Sequence, residues 1–153
     1  MRLRGLFGLV VLLGCAPREA PQRPPLDACA AVTKADIQAV VGKPIGEPSW
    51  VAIPNGTMCS YQSVESTLRG VTVEMYPRGV RLRDMYLEEA GKIWNTEPIA
   101  LAAVGDEAAW LGRQLIAVQG DDLVVVAVSG EIEPRVAREE ATAFARKALE
   151  RLR

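Results

Sequence analysis

Pairs of adjacent acidic residues are the features of this sequence that could support acid–base catalysis or calcium binding. Four pairs are present: Glu88-Glu89, Asp106-Glu107, Asp121-Asp122 and Glu139-Glu140. Neighbouring side chains point to opposite faces of a strand and lie about 100° apart on a helix, so each pair is poorly arranged to form a single site. The sequence contains no histidine, which removes the most common general base and metal ligand. We therefore predict no catalytic residue, no bound metal and no cofactor.

The same acidic residues have ordinary structural interpretations. We expect Asp121-Asp122 in a hairpin turn and Glu139-Glu140 on a solvated helix face. Asp106 is expected to cap the loop that follows Gly105. A hydrolase that uses carboxylates such as Asp106 and Glu107 stays the alternative, because two carboxylates can serve as acid and base without histidine.

Three tryptophans are the candidates for an apolar binding site: Trp50, Trp94 and Trp110. Tryptophan is enriched at binding hot spots, but core packing is the simpler use where a domain has few large aromatic residues. We keep Trp50 and Trp110 as candidate ligand-binding residues. Trp50 lies in a proline-rich segment, where we expect a loop with at most one edge strand. It is the tryptophan that we expect to be exposed.

The start of the chain has the layout of a secretory leader, with basic Arg2 and Arg4, an apolar run over residues 6–13, and then Gly14. The run is about half as long as a membrane-spanning helix, so it directs export without crossing the bilayer. Its ending, Leu-Leu-Gly-Cys at 12–15, resembles the bacterial lipobox, in which the cysteine is acylated. We expect residues 1–14 to be a signal peptide and Cys15 to carry lipid. An ordinary secretory leader is the alternative.

Residues 16–25 contain four prolines and no large apolar residue. Proline favours extended backbone, so residues 15–26 are expected to tether the domain to the membrane lipid at a distance of about 30 Å or less. A proline-recognition site is the alternative use. Ala16 stands where many inner-membrane lipoproteins have aspartate, which favours the outer membrane in an organism with two membranes. The domain is expected outside the cytoplasm in either case.

Cys29 and Cys59 remain once Cys15 is assigned to lipid. An exported protein matures where thiols oxidise, so an even pair predicts one disulfide. Closing a loop of about thirty residues would stabilise the domain by about 3.5 kcal/mol in the chain-entropy model. A redox-active pair normally has Cys-x-x-Cys spacing, and a zinc site needs more ligands, so both alternatives are disfavoured.

Hydrophobic periodicity predicts a single α+β domain over residues 27–153. Five strands are predicted, at 57–63, 68–76, 107–111, 114–119 and 123–129. The predicted helices are a short one from Thr33 to Gly42 with a capping box at Thr33 and Asp36, one over 80–93, and a long amphipathic one after Pro134. Short turns such as Gly120-Asp121 require antiparallel neighbours. We expect an antiparallel sheet of about five strands covered on one face by helices, with residues 95–105 as a loop.

Several short motifs along the domain resemble those of a known group of proteins. They are Asp27-Ala28-Cys29, the threonine-capped helix that ends at Val41-Gly42, Cys59-Ser60-Tyr61, the segment 104–110, the Gly120-Asp121 hairpin and the last helix. The group comprises small bacterial lipoproteins and extracellular sensor-like domains, common in actinobacteria and mostly uncharacterised. The resemblance covers almost all of the mature domain. It implies a bond between Cys29 and Cys59 and an envelope location, and it implies no catalytic residue.

Charge argues against nucleic acid as a partner. The chain has 18 basic and 19 acidic residues, and loss of Arg2 and Arg4 with the leader gives a net charge of about −3. Nucleic-acid binding requires a basic face. The expected function is that of a membrane-anchored envelope lipoprotein, a non-catalytic module for a small molecule, a lipid or a protein partner. We expect its contact surface near Trp50 and the loop over 95–105.

Overall fold

The structure, a computed structural model, describes residues 26–66 and 69–152. The predicted signal peptide, the predicted lipidation site at Cys15 and residues 16–25 of the predicted tether lie outside the described residues. The described residues have the α+β class that the sequence predicts, with an antiparallel sheet and a long C-terminal helix.

One antiparallel sheet of seven strands organises the described part of the chain, in the order β1-β2-β3-β7-β6-β5-β4. The strands are β1 Ser49–Ile53, β2 Gly56–Gln62, β3 Gly70–Tyr76, β4 Ile99–Ala100, β5 Glu107–Leu111, β6 Gln114–Gln119 and β7 Asp122–Ser129. The prediction of about five strands is wrong, because two short edge strands complete the sheet. β1 lies where the sequence allowed one edge strand, whereas β4 lies in the segment predicted as a loop. A two-residue strand is too short to show alternation in a sequence.

Four helices accompany the sheet in the described residues: α1 Ala28–Ala31, α2 Lys34–Val41, α3 Arg83–Trp94 and α4 Pro134–Glu150. α2 begins with the predicted capping box. The Thr33 hydroxyl accepts a hydrogen bond from the Asp36 backbone N–H at 3.2 Å, and the Asp36 carboxylate accepts one from the Thr33 backbone N–H at 2.9 Å. Gly42 ends the helix at φ +69°, a conformation that glycine adopts without strain. Both predicted ends of this helix are confirmed.

Helices α1, α2 and α4 pack on one face of the sheet and form the larger core. Along α4, the side chains of Ala137, Ala141, Phe144 and Ala148 are completely buried. They recur at intervals of three or four residues, so they lie on one side of the helix, as predicted. Alternate residues of the strands, Val73 and Val126 among them, meet these helices from the sheet.

The disulfide predicted between Cys29 and Cys59 is confirmed, with Cα atoms 5.1 Å apart. It joins α1 to β2, the second strand from one edge of the sheet. Trp50 of β1 is the residue paired with Cys59 across the strands. The bond therefore holds α1 against β2, the strand that pairs with the edge strand β1.

Helix α3 packs on the opposite face of the sheet, so the prediction that helices cover one face is wrong. Tyr86, Leu87 and Ala90 belong to a second core cluster with Ile116 and Val125. These strand residues alternate with those that face α4. A strand buried on both faces carries a nearly continuous apolar run, as β6 and β7 do, and this run is the sequence signal for a second covered face.

Candidate functional site

The carboxylates of Asp106 and Glu107 have separate structural partners. Asp106 accepts a hydrogen bond from the backbone N–H of Gly120 at 2.7 Å, which ties the loop before β5 to the β6–β7 turn. Glu107 forms an ion pair with Arg83 of α3. Asp106 thus stabilises a turn and Glu107 contacts a helix, so the two residues considered for the alternative hydrolase have different partners. The partner of the Asp106 side chain is thus the neighbouring hairpin and not its own loop, where the sequence predicted a cap.

Two of the other acidic pairs also have structural partners. Asp121 lies in the β6–β7 turn, and Asp122, which is buried, accepts the backbone N–H of Arg78 at 3.0 Å. Glu88 pairs with Lys92 one turn later on α3 at 2.5 Å. The Asp122 bond joins β7 to the segment before α3, whereas the exposed Glu88–Lys92 pair lies within one helix and contributes little.

The two candidate tryptophans lie far apart. Trp50 is on β1 and is 53% exposed, whereas Trp110 is on β5 and is 4% exposed within the larger core. Five strand spacings separate β1 from β5 in the sheet order, which corresponds to about 24 Å. The structure therefore does not bring Trp50 and Trp110 into one site. The exposure predicted for Trp50 is confirmed.

The contact surface expected near Trp50 and the loop over 95–105 is also divided. Trp50 lies at one edge of the sheet, and β4, within that loop, forms the other edge. Ile99 of β4 is 48% exposed. The two segments cannot form one continuous surface, and the sequence prediction is wrong on this point because it did not include the strand order.

Glu140 does not lie on a solvated helix face as predicted. Its side chain is 8% exposed, and both carboxylate oxygens accept hydrogen bonds from Nη2 of Arg69, at 2.6 and 2.7 Å. Position 140 follows Ala137 by three residues and precedes Phe144 by four, so helical spacing places it on the buried side. That spacing is the signal that could have identified it. No pattern marks Arg69, which lies 71 residues earlier in the chain. Glu139 does lie on the exposed side, paired with Arg135.

The environment of this ion pair perturbs the glutamate. Burial raises the pKa of Glu140 above its ordinary value of 4.5, and the charge and hydrogen bonds of Arg69 offset only part of this effect. Nε of Arg69 is also buried, and it makes no hydrogen bond within the described part of the chain. A buried donor without a partner costs about 1–3 kcal/mol. The guanidinium thus has an unused donor on its Nε edge.

A cavity of about 390 Å³ lies beside the Arg69–Glu140 pair, at one end of the sheet. Four further polar residues line it: Lys43, Ser63, Ser66 and Glu131. Its apolar side consists of Val41, Ile132 and Val136. This volume falls within the range of small-molecule sites. We refer to it as the Arg69 cavity.

Backbone hydrogen bonds hold the sides of the Arg69 cavity together. The N–H of Ser63 donates to the carbonyl of Arg69 at 3.0 Å, and the N–H of Val64 donates to the carbonyl of Pro44 at 3.1 Å. A further bridge pairs Ile45 with Ser63. These bonds connect three segments: the one after α2, the end of β2, and Arg69 just before β3. The Arg69–Glu140 ion pair connects them to α4.

Within residues 26–66 and 69–152, no group of three or more histidine, cysteine, aspartate or glutamate side chains is arranged to hold a metal ion. None of the helices in that part is both long enough and apolar enough to cross a membrane.

Comparison with known proteins found no relatives. No protein-family model matches the sequence, and neither the curated proteins nor the solved structures that were searched include a match. The resemblance to small bacterial lipoproteins stays a prediction. The features of this chain that bear on function are therefore the Arg69 cavity and the motifs at the start of the sequence.

Proposed function

We propose that this protein is a membrane-anchored bacterial envelope lipoprotein whose domain reversibly binds a small ligand in the Arg69 cavity, without catalysis. The proposed anchor is an acyl group on Cys15, and residues 16–25 would hold the domain away from the lipid. A tether of this kind suits capture, because the domain can sample orientations while it stays concentrated at the surface.

The observation that carries the binding proposal is the unused, buried Nε of Arg69 beside the cavity. Nε itself is closed to solvent, so a ligand oxygen that accepts from it must first displace the groups that cover it; the bond would then remove the cost of leaving this donor without a partner. Glu140 already holds Nη2 through two hydrogen bonds, so the guanidinium is oriented before the ligand arrives. Pre-organisation of this kind lowers the entropic cost of binding.

The charges around the cavity suggest the chemical class of the ligand. Arg69 and Lys43 suit a carboxylate, while Glu131 suits an ammonium group. The apolar side suits an aliphatic group. We therefore propose a small zwitterion with an aliphatic side chain, the class of apolar amino acids and short peptides.

The cavity also favours one version of the hydrolase alternative, because Glu131 and Glu140 both line it. A raised pKa of a buried glutamate is a property of general acids. Against this role, both oxygens of Glu140 accept hydrogen bonds from Arg69, and these bonds and the positive charge favour the charged carboxylate over the protonated form that a general acid needs. Binding is the better-supported function for this reason.

Binding can be tested by calorimetry with leucine, leucinamide and N-acetylleucine as probes. We expect leucine to bind, and we expect both derivatives to bind at least about tenfold more weakly, because each lacks one charge. Arg69→Gln should abolish the preference for leucine over leucinamide. Arg81→Gln is the matched control, because Arg81 is an exposed arginine on the 3-10 turn before α3. No binding by any probe or dipeptide would refute this ligand class.

The same protein should be incubated with peptide, ester and glycoside substrates. Binding without turnover supports the proposed module. Turnover that is lost in both Glu131→Gln and Glu140→Gln, in protein that still shows native near-ultraviolet circular dichroism, would establish the hydrolase instead.

The anchor has an independent test, since it depends on Cys15 alone. Cells that express the chain with its leader are labelled with a fatty-acid analogue, and we expect label in the wild type and none in Cys15→Ala. The variant should be released from the membrane while its Cys29–Cys59 bond still forms. Equal labelling of both proteins would reject the lipoprotein assignment without affecting the cavity.

A further inference from the structure

The β1 edge of the sheet is apolar, uncharged and open. Ser49–Ile53 pairs with β2 on one side and has no strand on the other side among the described residues. Trp50 is 53% exposed and Val51 is 41% exposed. Sheet edges in soluble proteins are usually protected by charged residues, bulges or a covering element. The strand itself contains no charged residue.

The register shows which backbone groups face outward. Ile53 pairs with Gly56 across a two-residue turn, and the residues that flank such a turn exchange hydrogen bonds with each other. Because hydrogen-bonded pairs alternate along an antiparallel ladder, Val51 also bonds to β2. The N–H and C=O groups of Trp50 and Ala52 therefore point away from the sheet. They provide two donors and two acceptors for another strand.

We propose that this edge pairs with the β1 edge of a second copy of the chain, antiparallel and centred on Val51. A two-fold axis at this position sets Trp50 opposite Ala52 of the other copy, and these are the residues whose backbone groups face outward. No like charges meet, because the strand has none. Pro48 and Pro54 flank the strand and restrict pairing to these five residues. The contact is self-complementary and closes as a dimer.

Two other occupants fit the edge less well. Insertion into lipid would leave the outward N–H and C=O groups without partners, which is costly in a bilayer, and the strand has no lysine or arginine to contact anionic headgroups. Pairing with β4 of another copy would be heterologous and would extend into an open chain. β4 has only two residues, Ile99 and Ala100, to offer such a partner.

Leu26, the last residue of the predicted tether, lies close to this edge. The Thr57 hydroxyl of β2 accepts from the N–H of Ala28 at 3.1 Å and donates to the carbonyl of Leu26. The chain thus enters the domain beside β1 and β2. If the proposed lipid anchor is present, copies in one membrane hold their β1 edges at a similar height, and the high local concentration compensates for a short contact. The strand pairing itself does not require the anchor.

Cross-linking in the envelope tests the geometry directly. Val51→Cys lies on the two-fold axis, so a short bis-maleimide should join two copies in cells that express the full chain with its leader. Val64→Cys is the matched control, because Val64 is 69% exposed and lies outside β1. We expect a dimer for position 51, with the 51–51 linkage found by mass spectrometry, and none for position 64. Equal cross-linking at both positions, or none at position 51, would overturn the proposal.

Charge exchange separates pairing from a change in fold. In sedimentation of the full chain in detergent, Val51→Lys alone and Val51→Glu alone should each weaken the dimer at least about tenfold, because like charges oppose each other across the axis. An equimolar mixture of the two variants should restore it. Wild-type chain that is monomeric at all concentrations, or variants that dimerise normally, would refute pairing.

A Cys15→Ala version of the chain distinguishes the two proposals. Equal membrane retention of the wild type and Cys15→Ala, with a dimer that persists in both, would reject only the lipoprotein assignment. A monomer that binds phosphatidylglycerol vesicles through Trp50, and loses that binding in Trp50→Ala, would replace strand pairing with membrane docking.

Discussion

The two faces of the sheet are packed in different ways. Helices α1, α2 and α4 and the disulfide cover one face, whereas α3 covers part of the other, mainly over β5 and β6. Three large apolar side chains of α3 are exposed: Met85, Ile93 and Trp94. Apolar burial is the main favourable term in folding. The difference indicates that the α4 face supplies most of the stability and that the α3 face is the more weakly held layer.

Side-chain hydrogen bonds offset part of the weaker apolar packing on the α3 face. The Tyr76 and Tyr86 hydroxyls donate to the Glu74 carboxylate at 2.6 and 2.9 Å. Burial, the strongest influence, and the nearby Glu74 charge raise the pKa of both phenols, that of Tyr86 to about 12. The phenols therefore stay protonated at neutral pH and continue to donate. This cluster fixes the position of α3 more than it adds buried area.

The substitution with the largest expected effect tests this difference between the two faces of the sheet. Phe144→Ala removes a side chain that is completely buried under α4, and we expect it to lower the free energy of unfolding by about 3–5 kcal/mol. Leu87→Ala, at a partly buried position of α3, should cost about 1–2 kcal/mol. Urea unfolding followed by circular dichroism measures both. Equal losses would mean that the two faces contribute alike.

The second effect concerns the covalent link on the α4 face. Replacing Cys29 and Cys59 together with alanine should cost about 3.5 kcal/mol, since the bond closes a loop with a sequence separation of 30 residues. Reduction of the wild type should produce a similar loss, which serves as the control for the substitutions themselves. If hydrogen exchange in α3 accelerated as much as in α1, the two faces would unfold as one unit and the comparison would fail.

The sequence predicted those elements whose signals are local. The capping box at Thr33 and Asp36, the buried stripe of α4 and the disulfide each follow from residue types at short spacing or from cysteine parity. Strand β4 and the position of α3 depend on which strands become neighbours. That order is set by contacts between distant parts of the chain, and only the continuous apolar runs of β6 and β7 hint at it.

The candidate site was less predictable than the fold for the same reason. Its central contact joins Arg69 to Glu140 across 71 residues, and neither residue type is expected in a core. Trp50 and Trp110 were candidates because tryptophan is enriched at binding sites, yet the strand order separates them. Residue type therefore identified exposed apolar groups, while a polar site built from distant segments required the tertiary structure.

The smallest expected effect involves Asp36, which joins the helices of the α4 face. Its carboxylate accepts from Thr33 and from Arg151 at 2.9 Å, and it pairs with Lys147 at 3.2 Å. Burial by itself raises the pKa of Asp36. The hydrogen bonds from Thr33, Arg151 and Lys147 outweigh burial and lower the pKa well below its ordinary value of 3.8.

The sign of the pH dependence follows from this lowered pKa. The unfolded chain binds a proton at Asp36 more readily than the folded chain does, so stability rises with pH through the interval between the two values. The contribution of Asp36 is complete above about pH 5 and decreases as the pH falls below 3.8 towards the folded pKa.

We expect Asp36→Asn to cost about 1–2 kcal/mol at pH 7 and much less at pH 2. Asp84→Asn, at a side chain that is 80% exposed, is the control and should change little at either pH. Urea midpoints at pH 7, 5, 3 and 2 give the comparison. A deficit of Asp36→Asn that stayed constant across this range would show that the amide loses packing or geometry rather than charge, and the junction of α2 with α4 would then not depend on ionisation.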